Sequence, residues 1–225
     1  MDWNDVRALD PIKLNLGGYG DCHPQPHYEG FVAVDIAPSP GWTVAHDLTQ
    51  PFPLADGSVA QILSEHCLEH LREADLQALL VECHRILRPG GWMRFAVPDY
   101  GSPRNAPYRA RGFDPHHTDH LCFPTFEMLR AIVAKTPFRT ARFHQYWSNG
   151  AFVDAPIDYS RGWIKRTKDN DPRNRREGIA ERASGLVRDA ACFVESGFRI
   201  DRARLSTVRG RPLRMTSIVV DLDKR

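Results

Sequence analysis

The feature that most constrains this 225-residue chain is a series of short apolar runs, each closing on glycine or an acidic residue. Lys13-Leu14-Asn15-Leu16 runs into Gly17-Gly18-Tyr19-Gly20, and Phe31-Val32-Ala33-Val34 ends on Asp35. Thr43-Val44-Ala45-His46 ends on Asp47, Val59–Ser64 leads into Glu65-His66, and Trp92–Val97 closes on Pro98-Asp99. Runs of this length between turn signals read as strands, and their apolar content predicts that they are buried.

Helical spacing separates them. Leu76, Leu79, Leu80, Cys83 and Leu87 define one apolar face, with Arg85 and Arg88 in the expected last turn and Pro89-Gly90-Gly91 as the stop. Pro124 is expected to open a second helix with Phe126, Leu129 and Val133 as its buried stripe. Phe138–Trp147 reads as a sixth strand, and Leu213–Leu222 as the last. Ile179, Ala183, Leu186, Val187, Ala190 and Val194 mark a further amphipathic helix closed by Gly197. Alternating strands and helices predict an α/β domain spanning 1–225, doubly wound, with a mainly parallel sheet covered on both faces. Residues 100–121 are rich in Pro, Gly, Arg and His without periodicity, which predicts a lid loop.

Composition narrows the function. No apolar run reaches the roughly 18–20 residues that cross a bilayer, so no membrane partner is expected. The start, MDWNDVRALD, lacks an apolar signal core, and the five cysteines (Cys22, Cys67, Cys83, Cys122 and Cys192) form no CxxC pair. Reduced thiols in a cytoplasm are the expectation. Residues 161–214 carry 15 Lys/Arg against 7 Asp/Glu, whereas residues 1–160 carry 13 against 19. This is either a solvated basic face or a wall that attracts an anionic acceptor. No aromatic-interleaved basic motif points to nucleic acid, and the sequence leaves a homo-oligomer open.

In an open parallel sheet the ligand lies beyond the carboxyl ends of the strands. A carboxylate there can accept from both hydroxyls of a ribose, and glycines let backbone approach a ligand. Only Asp21–Gly30, with Pro24 and Pro26, separate the glycine turn from the second strand. That leaves little room for the helix whose N-terminus holds a pyrophosphate, which counts against a dinucleotide.

The stretches KLNLGGYG, VAVDI, HDLTQPFPLADGSVAQILSEHCLEHL and LLVECHRILRPGGWMRFAVPD resemble the class I S-adenosylmethionine-dependent methyltransferases, in particular a small bacterial branch. Asp56-Gly57-Ser58, Leu68-Glu69-His70 and Leu87–Gly91 carry the resemblance most specifically, over roughly residues 12–147. It implies a Rossmann-like, seven-stranded sheet with an antiparallel last strand, and S-adenosylmethionine as cofactor. It also implies that Gly17, Gly18 and Gly20 line the methionine part of the cofactor. Asp35, with Ile36 beside it, would bind the ribose, and Asp47 with Leu48 the adenine. Ser64, Glu65 and His66 would sit under the sulfonium. Tyr19 departs from the glycine usual in this branch, and residues 177–211 read as an insertion.

A small polar acceptor, methylated on O or N, is then expected against Asp99, Tyr100, His116, Tyr146, Trp147 and Arg161. The base is sought in His120 first, then His117 and His66, because histidine titrates near neutrality. His116 and His120 are four apart, but Pro115 opposes a helix there, so no metal site is expected. Leu68-Glu69-His70 is expected to open the helix after the fourth strand and pack behind the cofactor. His84 reads as structural, and Asp169 and Asp171 as ion-paired locally. A protein of this fold that binds the cofactor or a nucleoside without turnover is the alternative, with an NAD-linked oxidoreductase third.

Overall fold

The structure is a computed structural model that describes residues 1–18, 30–37, 43–162, 190, 194 and 217–225. A short helix α1 (Trp3–Arg7), closed by a reciprocal Asp2–Asp5 capping box, leads into β1 (Ile12–Leu16). Then come β2 (Val32–Asp35), β3 (Thr43–Ala45), β4 (Val59–Glu65), α2 (Glu73–Ile86) and β5 (Leu87–Pro98). After them lie α3 (Ala106–Arg111), α4 (Phe126–Val133), β6 (Thr140–His144), β7 (Tyr146–Ser148), β8 (Ala151–Val153) and β9 (Ser217–Asp223).

Seven strands form one sheet in the order β3-β2-β1-β4-β5-β9-β6, and β7 and β8 make a separate hairpin. β1 to β5 are parallel, whereas β9 runs antiparallel to both β5 and β6. The fold expected from the sequence is therefore present, antiparallel last strand included. β9 (SIVVDLD) is buried almost throughout because it lies between two partners. Helix α2 packs Leu76, Leu79, Leu80, Cys83 and Ile86 into the main core, which α4 joins with Leu129, Ile132 and Val133. On a second, smaller cluster Ile157 and Tyr159 pack against Ala96 and Val219.

Several boundaries differ from the sequence reading for local reasons. Helix α2 stops at Ile86, so Arg88 lies in β5 and not in the helix's last turn. The residue before Pro89 avoids helical geometry, and Lys224 Nζ instead caps the helix end by donating to the His84 and Arg85 carbonyls. Pro124 precedes the cap rather than opening α4: Thr125 is the N-cap, its side chain accepting from the Met128 N–H. The single strand expected over Phe138–Trp147 is broken at Gln145, whose φ of +52° turns the chain from β6 into the hairpin strand β7. The helix expected over 179–194, the 177–211 insertion and the Asp169–Asp171 pair fall wholly or largely outside the described residues.

Residues 100–121 are not structureless. They contain α3, and their ends are tied down: Tyr100 N–H donates to the Pro124 carbonyl, and Leu121 and Cys122 N–H both donate to the Glu69 carbonyl. Helix α3 buries no residue fully, so it leaves no apolar period in the sequence. Among the described residues, no helix is long and apolar enough to cross a membrane.

Candidate functional site

Parallel pairing brings the strand-end residues to one edge of the sheet. The registers Leu16↔Val34, Asp35↔Ala45, Leu16↔Ser64 and Glu65↔Ala96 set the carboxyl ends of β1 to β5 side by side. The switch in strand order between β1 and β4 opens the crevice there.

Gly17 turns out of β1 with φ +73°, its N–H donating to the Val34 carbonyl. A Cβ at Gly17 would meet the Cys67 side chain at 2.4 Å, so only glycine fits. Gly18 follows it, buried, while Gly20 and Tyr19 lie outside the described residues. Asp35, half-buried at the end of β2, uses Oδ1 to accept from the Ala37 N–H. Beside it Ile36 is 76% exposed, an aliphatic surface next to a carboxylate. Asp47 is exposed and folds onto Thr49, accepting from its N–H and its hydroxyl at 2.9 and 2.8 Å; these bonds hold its carboxyl below the usual range. Leu48 is half-buried next to it. Ser64 is fully buried, and its hydroxyl donates to the Leu16 carbonyl, so it ties β4 to β1. Glu65 is half-buried at the end of β4.

Beyond the carboxyl ends of β4 and β5 lies a cavity of about 510 Å³, bordered by His66 after β4 and Pro98 at the end of β5. Its lining includes His66, Glu69, His70, Tyr100, Arg104, Asp114 and the histidines 116, 117 and 120. Histidine 66 adopts φ +51°, with Nε2 2.9 Å from Ser217 Oγ and Nδ1 3.4 Å from Glu69 Oε1. Tyr100 is 1% exposed; its hydroxyl donates to Asp114 Oδ2 at 2.8 Å and lies 2.7 Å from His120 Nδ1. Burial, then the bond to Asp114, drive the phenol's pKa upward, so the phenol keeps its proton. That single proton is spent on Asp114, so His120 Nδ1 must donate to the phenol oxygen and its Nε2 carries the lone pair. Burial keeps the His120 imidazole neutral, against the opposing pull of Glu69. His117 stacks on His120 at 4.7 Å, and His70 meets it edge-on at 5.0 Å. Histidine 116 instead packs edge-on against Tyr108, apart from His120.

The three histidines named as base candidates thus share one cavity, together with Tyr100 and His116. The other residues expected on the acceptor side do not line this cavity. Asp99 is fully buried, and its two oxygens accept the N–H groups of Gly101 and Trp147 at 2.8 and 2.7 Å, so it ties β5 to the β7 hairpin. Tyr146, partly buried, stacks on Phe126 at 4.0 Å against the core. Trp147 lines a separate cavity of about 390 Å³ with Gly101, Arg109, Thr125 and Glu127. Arg161 pairs with Asp223 and lies over the Trp92 ring. The segment 68–70 is also corrected: it forms a single 3-10 turn ahead of α2, and it faces the cavity. Glu69 and His70, expected behind the cofactor, line this cavity, and Ser217, which the sequence did not single out, contacts His66. Asp56-Gly57-Ser58 serves the fold: Gly57 N–H donates to the Arg85 carbonyl, and Arg85 reaches back to Phe52, Leu54 and Asp56.

The family profile described as "Methyltransferase domain" matches residues 29–95, which span β2 to β5. This match supports the resemblance to the class I S-adenosylmethionine-dependent methyltransferases. Solved methyltransferases share its fold at low identity. A SAM-dependent methyltransferase from Archaeoglobus fulgidus is 14% identical with a TM-score of 0.56, covering 97% of this chain and 88% of that one. A possible histamine N-methyltransferase from Thermotoga maritima is 14% identical with a TM-score of 0.54, covering 95% and 82%. Phosphoethanolamine N-methyltransferase 2 of Haemonchus contortus, in complex with S-adenosyl-L-methionine, is 16% identical with a TM-score of 0.52, covering 99% and 52%. No curated protein matches the sequence.

Proposed function

We propose that this methyltransferase acts on an oxygen or nitrogen of a small polar acceptor held in the histidine-lined cavity. The observation that carries this reading is the continuity of two features: His66 leaves the end of β4 in the cofactor crevice and also forms a wall of the cavity. Bound in the crevice, S-adenosylmethionine supplies a methyl group activated on a sulfonium. Gly17 and Gly18 leave room for its methionine part at the turn after β1. Asp35 accepts from the ribose hydroxyls, while exposed Ile36 and Leu48 offer apolar contact to the adenine.

The remaining work is alignment and proton removal. Holding both reactants in a near-attack pose is worth roughly 7–11 kcal/mol. Proton removal falls to the histidine wall, with His120 first because its Nε2 lone pair is fixed by the Tyr100–Asp114 relay. His117 and His66 come second and third. Arg104 on the same wall favours an acceptor with negative charge. The thiols of Cys67, Cys83 and Cys122 are free, which suits the reducing cytoplasm proposed as its compartment.

Calorimetry against S-adenosylhomocysteine tests the cofactor assignment, with NAD as the comparison. Asp35→Ala should weaken binding by about 10–150-fold, the loss of a charged hydrogen bond worth about 1.5–3 kcal/mol. Unchanged affinity in the folded variant would refute the placement.

A further inference from the structure

Glu69 is in an unusual position for a carboxylate. It is 1% exposed, and its Oε2 has no hydrogen-bond partner among the described residues. Its Oε1 is approached by His66 Nδ1 at 3.4 Å and by His120 Nε2 at 3.8 Å. A buried carboxylate with an unsatisfied oxygen is costly unless a cation or further donors complete it.

Two neighbouring imidazoles, His120 and His70, keep a lone pair on Nε2 and so bring no proton to it there; a shared cation would satisfy all three groups. His120 donates from Nδ1 to Tyr100, which leaves Nε2 as its basic nitrogen. His70 Nδ1 lies 3.1 Å from the Asp119 carbonyl and 3.3 Å from the Asp119 carboxylate. Both acceptors fix the proton on Nδ1 and leave Nε2 of His70 as a lone pair as well. An imidazole whose second nitrogen donates to a carbonyl, a carboxylate or an oxygen held by one is the arrangement that orients a metal-bound histidine.

The three side chains also converge. One potential ligand atom from each of Glu69, His70 and His120 lies within 4.8 Å of the others. Bonds of about 2.0–2.2 Å at a tetrahedral metal place ligands roughly 3.3–3.6 Å apart, so closure draws the atoms together by up to about 1–1.5 Å. The backbone already clamps the two halves of the group: the Glu69 carbonyl accepts from Leu121 and Cys122 N–H at 3.0 and 3.1 Å.

We infer that Glu69, His70 and His120 form a binding site for a divalent first-row transition ion on the wall of the cavity, with its remaining coordination positions open to the acceptor. Two imidazoles and one carboxylate suit Zn²⁺ and its neighbours in the series better than Mg²⁺ or Ca²⁺. Three protein ligands with open positions are the arrangement of a catalytic site and not of a closed structural one. The role of the ion rests on the reading of this cavity as the acceptor site: an acceptor hydroxyl bound to it would lose its proton to water more readily, and in the ion-bound protein His120 is a ligand, so that proton removal no longer falls to it. Binding of the ion does not depend on that reading.

Untagged, full-length protein, dialysed against a chelator and then freed of it, is titrated with Zn²⁺ by calorimetry and with Co²⁺ by visible absorption. One equivalent per chain is expected. Glu69→Gln and His70→Ala should each weaken Zn²⁺ binding by at least about 10-fold, and Tyr100→Phe by about 10–100-fold, as expected for a residue that orients a ligand. His116→Ala, in the same cavity but outside the group, should keep one equivalent. His70 is partly exposed, so its variant should fold even if Glu69→Gln does not, and circular dichroism checks both. The inference is overturned by absence of saturable binding, or by unchanged affinity in the folded Glu69→Gln and His70→Ala proteins. S-Adenosylhomocysteine is titrated into the same samples. Its failure to bind beside intact Zn²⁺ binding overturns the cofactor reading alone, and the reverse result overturns the metal site alone.

Discussion

Removing Arg94 should destabilise the protein more than most single substitutions would. Arg94 is fully buried in the middle of β5 and grips Asp221 of β9 with two bonds, Nε to Oδ1 at 2.6 Å and Nη2 to Oδ2 at 2.8 Å. Its remaining amino group donates to the carbonyls of Asp158 and Gly162 at 2.8 and 2.7 Å, fastening residues 158–162 to the sheet. Arg94→Met keeps much of the volume but leaves Asp221, 2% exposed, with only His144 at 3.2 Å among the described residues. Breaking a buried pair on one side costs about 3–5 kcal/mol, against a total stability of about 5–15 kcal/mol for a domain. Burial pushes the Asp221 carboxyl up, but the bonds from Arg94 and then His144 outweigh it and hold the carboxyl well below the usual range. Its folded pKa is thus depressed. This contribution is present above the unfolded value of about 3.9 and disappears as pH falls through the folded one. Urea unfolding at neutral pH followed by tryptophan fluorescence measures the loss, and Arg94→Met/Asp221→Leu should recover part of it. A loss below about 1 kcal/mol in Arg94→Met, or simple additivity in the double variant, would refute the reasoning.

Asp99 should show the opposite sign. Burial pushes its carboxyl up to about 6 despite the N–H groups of Trp147 and Gly101, so its stability contribution is present below about pH 3.9 and is lost as pH rises through about 6. Carboxyl-carbon NMR should place its midpoint near the upper value, and a midpoint in the ordinary aspartate range would overturn this account. If the proposed base is right, His120→Ala in the histidine wall should lower turnover by about 10²-fold while S-adenosylhomocysteine affinity holds. A fall of less than about threefold would remove His120 from the chemistry.

The sheet was legible because its strands are buried on both faces, and such strands appear in sequence as continuous apolar runs bounded by turns. Val59–Ser64 and Trp92–Val97 lie within β4 and β5. The elements that escaped notice are those whose burial does not repeat along the chain. Helix α3 buries none of its residues fully, so Pro107 and Tyr108 looked like loop. The break at Gln145 rests on one positive φ in a residue that does not advertise it. Glycine patterns were misleading in a different way. Gly17 is required by Cys67 packing under the turn, so its presence after β1 reports the fold at least as much as any ligand.

The site divides along the same line. Residues that a strand delivers to the sheet edge, such as Asp35 and His66, follow from counting to the end of the strand. An acid at such an end need not face the ligand, however, as Asp99 shows by turning both oxygens onto backbone N–H groups. The histidine wall required more than counting. Glu69 and His70 sit in a turn after β4, and Asp119 and His120 come from the far end of the segment after β5, 49 residues from His70 to Asp119. Sequence gives no reason for these pairs to meet. What brings them together is the Glu69 backbone carbonyl, which accepts two N–H groups just beyond His120. One residue therefore supplies both the clamp, through its main chain, and the buried negative charge, through its side chain. A change of the Glu69 side chain should alter the cavity's electrostatics without unfastening the segment. A shift of the turn backbone should disturb both at once.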